Sequence, residues 1–133
     1  MKIKMTNKVK KIEVFYQKEF NPFAKYTNDI SKTHTKVYEI LLDVKKITKN
    51  PDEVFRQFNN DETNPLSYTN KTGKVCIINK DTLGTGAEFQ EAMRQKKLEC
   101  GHTSMSVGDV VAINNTYYLC KDFGWKTLKQ VKV

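Results

Sequence analysis

The first sustained pattern along the chain is an alternation in which Ile12, Val14 and Tyr16 interleave with Glu13, Phe15 and Gln17. That is the two-residue period of a strand with one face buried. A second alternation covers residues 35 to 44, with Tyr38, Ile40, Leu42 and Val44 on one face and Glu39 and Asp43 on the other. Asn21-Pro22 and Asn28-Asp29 punctuate a loop between them. The period then changes. Asn50-Pro51-Asp52-Glu53 combines an N-cap residue, a proline at the first helical position and a capping-box glutamate. Val54, Phe55 and Phe58 follow on one helical face, and Asn59-Asn60-Asp61 ends the helix. Residues 74 to 79 read as a third strand, and Thr85 with Glu88 opens a second helix from about residue 86 to 97, with Phe89 and Met93 on its inner face. Residues 109 to 113 and 116 to 121 flank Asn114-Asn115, two residues that tolerate the positive φ a tight hairpin demands. A last strand runs over residues 125 to 131 after the Phe123-Gly124 bend. These elements predict an α+β fold, a largely antiparallel sheet of five or six strands with two short helices. Residues 1–11 read as a basic N-terminal arm and 12–133 as a single domain.

A chain of 133 residues encloses one sizeable core and no more. No apolar run approaches the roughly 18 residues of a membrane helix, and no apolar stretch follows the basic start, so no membrane partner and a cytoplasmic location are expected. Three cysteines, odd in number, fit reduced thiols or a metal site better than a disulfide framework.

Charge changes the picture more than length does. The net charge is +8, and residues 1–50 hold 12 Lys against five acids, a net of +7, whereas 51–133 hold 11 basic and 10 acidic residues, a net of +1. A lopsided positive field attracts an anionic partner: nucleic acid, a ribonucleoprotein or an acidic protein face. It excludes an overall acidic mimic of DNA. Lys2, Lys4, Lys8, Lys10 and Lys11 are the residues the sequence offers for that contact. Only Arg56 and Arg94 are arginines, which disfavours sequence-specific reading of bases, since bidentate guanine contacts use the arginine fork. The richness in Lys, Asn and Ile also fits an AT-rich coding bias, in which case part of the charge is solvated surface without a partner.

The residues suited to chemistry are few. Gly84-Thr85-Gly86 lacks the third glycine of a dinucleotide turn and the Gly-Lys-Ser/Thr of a P-loop, so it reads as a helix cap. His34 and His102 are the only histidines, neither stands in a local catalytic motif, and the paired carboxylates sit at helix starts and turns. The expectation is a protein that is not an enzyme. A structural zinc site is the sharpest metal hypothesis. Cys100 and His102 share a face of an extended segment, and Cys76 and Cys120, each in a predicted strand, would complete a Cys3His set, against which stand the lack of a Cys-x-x-Cys knuckle and ligands drawn from three separate segments. The alternative is three thiols buried as small hydrophobes. Phe123 and Trp125 flank Gly124; they read as closing the core over a hairpin, with base stacking or interface anchoring as the other reading.

The stretch Gly101-His102-Thr103-Ser104-Met105-Ser106-Val107-Gly108-Asp109-Val110-Val111 is followed by Tyr117-Tyr118-Leu119-Cys120 and by Asp122-Phe123-Gly124-Trp125-Lys126. It resembles the YodL-like domain of mobile genetic elements, with the motif at residues 101–126. The resemblance implies an accessory protein of a phage, plasmid or conjugative element. It also implies action against host defence as a stand-alone anti-CRISPR protein, through stoichiometric binding to a type II CRISPR effector nuclease. The different-class alternative is a nucleic-acid-binding accessory or regulatory protein of such an element. The family carries no catalytic residues over. Ser104, Ser106 and Asp109 read as turn residues that cap the hairpin, and His102 as structural.

Overall fold

The computed structural model describes residues 9–23, 28–43, 50–68, 76–79 and 82–133. Its centre is a five-stranded antiparallel sheet in the order β2-β1-β5-β6-β7, formed by β1 (Val9–Gln17), β2 (His34–Asp43), β5 (Val110–Ile113), β6 (Thr116–Cys120) and β7 (Trp125–Leu128). A separate two-stranded sheet joins β3 (Cys76–Asn79) to β4 (Thr82–Gly84), and the helices are α1 (Pro51–Gln57) and α2 (Gly86–Arg94). The fold is α+β, as the hydrophobic periods predict.

The central strand β1 is covered on both faces, which corrects the expectation of one buried face: every residue from Ile12 to Gln17 is buried. On one side Ile12, Val14 and Tyr16 meet Val54, Phe58, Leu66, Phe89 and Ala92 from the helical layer. Phe58 sits edge-on to both Tyr16 and Tyr38, at 6.5 and 5.2 Å between ring centroids. On the other side Phe15 joins Ile30, Val110, Ala112, Leu119 and Leu128. The segment carrying Ile30 is held there by the C-terminal residues, through Ile30 N to Lys132 O at 2.9 Å and Lys132 N to Asn28 O at 2.8 Å. Glu13 lies on this second face, directly across from Glu39. The like charges are reconciled by Lys36, 2.8 Å from Glu13 and 2.7 Å from Glu39, with Lys11 at 3.6 and 3.5 Å. A register shift pairs Val14 with Tyr38 but Phe15 with Lys36. The extra residue, Val37, thereby turns to the helical side beside Tyr38.

Other boundaries move for local reasons. β1 starts at Val9, inside the expected arm, because β2 is long enough to pair Val9 with Asp43, Lys10 with Leu42 and Lys11 with Leu41. β4 was not anticipated; it pairs antiparallel with β3, Asn79 opposite Thr82 and Cys76 opposite Gly84. Helix α2 stops at Arg94, short of residue 97, with Lys96 at φ 59°. Lys96 N donates to Met93 O and Lys97 N to Ala92 O, a Schellman closure built without glycine. The last strand ends at Leu128, and Gln130 at φ 54° then turns the tail under the sheet. The Asn114-Asn115 hairpin forms with both residues at positive φ. Thr85 and Glu88 complete their capping box. Gly86 belongs to that corner because a Cβ there would lie 2.0 Å from Ser67 O.

Candidate functional site

Polar side chains converge at one place, the turn that leads into β5. Asp109 N donates to Ser106 O at 3.0 Å, and Gly108 holds φ +97° within the turn. Only glycine suits this position, both for its φ and because a Cβ would meet the Gln17 side chain at 2.6 Å. The Asp109 carboxylate is fully buried and accepts three hydrogen bonds: Gln17 N at 2.8 Å, Ser106 N at 2.8 Å and His102 Nε2 at 3.1 Å. It therefore does more than cap a hairpin. It ties the end of β1 to the loop of residues 100–106. Ser106 takes part through its backbone, and Ser104 is exposed.

His102 lies against Tyr16, ring on ring at 4.5 Å and nearly parallel. Its Nε2 faces a carboxylate and so carries a proton. Tyr16 Oη donates to Thr103 O at 2.8 Å, an oxygen that also accepts from Asn64 Nδ2 at 2.8 Å. Burial first, then the charge of Asp109, holds the Tyr16 hydroxyl well above the usual phenol range. His34 approaches the same turn from the other side, with Nε2 2.6 Å from Gly108 O and Nδ1 2.8 Å from Thr33 Oγ1. A ring nitrogen facing a carbonyl must donate, so neutral His34 is protonated at Nε2 and accepts from Thr33 at Nδ1. Burial lowers the His34 pKa, against the Gly108 hydrogen bond and the Asp109 charge, which raise it. The two histidines thus grip one turn from opposite sides.

Beside His34 opens a cavity of about 600 Å³. Ile30 and Leu119 lie among its lining residues, with Phe20, Lys18, Lys32, Lys121, Glu19 and Asp122. The Phe20 ring stands edge-on to His102 at 6.4 Å. Phe23 and Phe123, just beyond residues of the lining, are 92% and 96% exposed. Phe123 does not close the core as expected. Trp125 does, edge-on to Phe55 at 6.3 Å and donating from Nε1 to Asp52 Oδ1 at 2.6 Å.

The four zinc candidates are not brought together. Cys76, Cys100 and Cys120 are free and buried. The Cys76 thiol turns to Gly84 O at 2.9 Å, and Cys120 to Lys121 O at 3.9 Å. His102 is committed to Asp109, and among the described residues no three His, Cys, Asp or Glu side chains group as metal ligands. Burial pushes all three thiols up to about 11. Of the lysines read as a partner surface, Lys2, Lys4 and Lys8 lie outside the described residues. Lys10 is in β1, and Lys11 is paired with Glu13 and Glu39. Sequence reading missed Asn64, which is buried and bonded to Phe58 O, Thr103 O and Leu66 N. It also missed the role of His34; the bonds that matter, Asn64 to Thr103 O and His34 to Gly108 O, span 39 and 74 residues and leave no local signature. No described helix is long and apolar enough to cross a membrane.

The chain is 35% identical over 121 residues to a protein described as Uncharacterized protein R785 of Acanthamoeba polyphaga mimivirus, and the alignment covers 89% of this chain and 92% of the relative. No protein-family model matches, and no solved structure matches.

Proposed function

The chain belongs to the family of the mimivirus protein R785, and from that premise we propose that it is a non-catalytic accessory protein of a virus or other mobile element, acting by stoichiometric binding to a host nucleoprotein. The observation that carries the reading is where the charge lies. Residues 1–50 carry 12 Lys against five acids, a net of +7, whereas residues 51–133 carry a net of +1. Lys2, Lys4 and Lys8 precede Val9, while Lys45, Lys46 and Lys49 lie between Asp43 and Asn50. Val9 and Asp43 are cross-strand partners. The paired residues Val9 and Asp43 are thus flanked in sequence by six lysines, a concentration of like charge suited to a polyanion.

The raised thiol pKa values argue against thiol catalysis, because the nucleophile is the thiolate. The YodL-like resemblance of residues 101–126 points to the same mobile-element setting. A type II CRISPR effector, the partner that resemblance implies, is one such nucleoprotein. A relative in an amoebal virus supports stating the partner by its chemistry, an acidic assembly of protein and nucleic acid. The second reading, direct binding of bare nucleic acid as a regulatory protein of the element, is favoured by the same lysines. Affinity purification from the host cell identifies the nucleoprotein. Titration against it, and separately against its protein-free nucleic acid, then divides the readings. The expected result is an equimolar complex that blocks the nucleoprotein's activity. Undiminished activity at excess protein contradicts the proposal.

A further inference from the structure

We propose that the cavity end of the sheet is a binding site for unpaired nucleotides of a nucleic-acid strand, with a base lodged against Phe20, Ile30 and Leu119 and the phosphates met by lysines of the rim. The inference rests on the binding reading above only in placing nucleic acid in the partner. It uses different residues, all within the described body, at the opposite end of the sheet from Val9 and Asp43.

Three observations converge on that ligand. The first is shape: a cavity of about 600 Å³ lies within the range that accommodates a ligand of nucleotide size. The second is the distribution of aromatics. Phe20 is half exposed yet oriented, because its ring meets His102, which is fixed in turn by the Tyr16 stack and the Asp109 carboxylate. Phe23 and Phe123 follow Pro22 and Asp122 of the lining in sequence and stand almost fully exposed. Phenyl rings presented to water add little to the core, and stacking one base on such a ring contributes about 1–3 kcal/mol regardless of sequence. The third is charge. Lys18, Lys32 and Lys121 line the cavity against Glu19 and Asp122. Lys18 is paired at 3.2 Å with the exposed Glu99; a surface pair of this kind is weak enough to yield its ammonium to a phosphate. Three cations and two carboxylates suit a few phosphates of a single strand better than the dense charge of a duplex. Aromatics interleaved with lysines are the combination a single strand exploits.

The test is fluorescence anisotropy of the full chain with a labelled oligothymidylate or oligouridylate of about ten nucleotides, and with a duplex of equal length. Wild type is compared with Phe20→Ala, Phe123→Ala, Lys32→Glu and the triple variant Lys2→Glu/Lys4→Glu/Lys8→Glu. Phe123 touches so little that its replacement leaves the fold intact, and thermal melting checks the Phe20 variant. The single strand is expected to bind at least about tenfold tighter than the duplex. Each phenylalanine variant should weaken it about tenfold, about 1.4 kcal/mol, at every salt concentration, and Lys32→Glu should flatten the salt dependence. Equal binding of strand and duplex overturns the site. So does wild-type affinity in both phenylalanine variants, even if the triple lysine variant binds less, and that outcome leaves the nucleoprotein reading standing. Retained, phenylalanine-dependent strand binding with no nucleoprotein complex supports the site and removes the other proposal. A Phe123-dependent protein contact with no strand binding also overturns it.

Discussion

The two ends of the five-stranded sheet are made by different means. At the end where Val9 pairs with Asp43 the backbone ladder is regular, and the distinguishing chemistry is net charge carried by neighbouring lysines in sequence. At the end where Gln17, His34 and Gly108 meet, net charge is small, and the chemistry is a set of fixed hydrogen bonds around one buried carboxylate. In the proposed function the first end supplies long-range attraction, which salt screens within about 8–10 Å. The second supplies short-range geometry that salt hardly touches. A charge total of +8 does not reveal that residues 1–50 carry +7 of it.

Substitutions should separate the ends, beginning with the largest effect. Asp109→Ala strands one buried and two half-buried donors and is expected to cost about 3 kcal/mol of unfolding free energy, read by urea denaturation; a loss below about 1 kcal/mol would show that the network does not hold β1 to the 100–106 loop. Gly108→Ala combines a strained φ with a clash against Gln17 and should cost about 1–3 kcal/mol in the same assay. At the other end, Lys2→Glu/Lys4→Glu/Lys8→Glu should leave the melting temperature nearly unchanged and weaken nucleoprotein binding about tenfold or more at low salt, as measured by calorimetric titration.

The smallest effect is a pH dependence at the cavity end. Burial depresses the His34 pKa in the folded state, so between the folded and unfolded values the unfolded chain binds the extra proton. Stability from this group is full above the unfolded value of about 6.5 and is lost as pH falls below it. Thermal melts from pH 8 to 5 should show this decline, and His34→Gln should flatten it. An equal decline in the variant would assign the loss to other groups.

The elements were legible where local chemistry acts alone. Asn50 and Pro51, the Thr85–Glu88 box and Asn114-Asn115 each specify their structure from adjacent residues. What escaped was set by tertiary contacts. The alternation over residues 12–17 looks one-sided because Glu13 and Gln17 are polar, yet both are buried: Glu13 meets Lys36 of β2, and Gln17 bonds Asn21 across Gly108. Lys96 ends α2 by a backbone turn that Gln95-Lys96-Lys97 does not advertise. At the candidate site, the Cys100–His102 spacing suggested a metal, but His102 is oriented by Asp109, seven residues on, and stacked on Tyr16, 86 residues earlier. Phe123 resembled its neighbour Trp125 in sequence and differs because only the indole finds Asp52 and Phe55.

The most direct measurement is a titration of the purified protein into its host nucleoprotein at two or more salt concentrations, following residual activity. Inhibition should saturate at one protein per nucleoprotein, with an affinity that falls steeply as salt rises. Complete inactivation by a small fraction of an equivalent would mean turnover, and inhibition indifferent to salt would remove the lysines from the mechanism; either result contradicts stoichiometric, charge-driven binding.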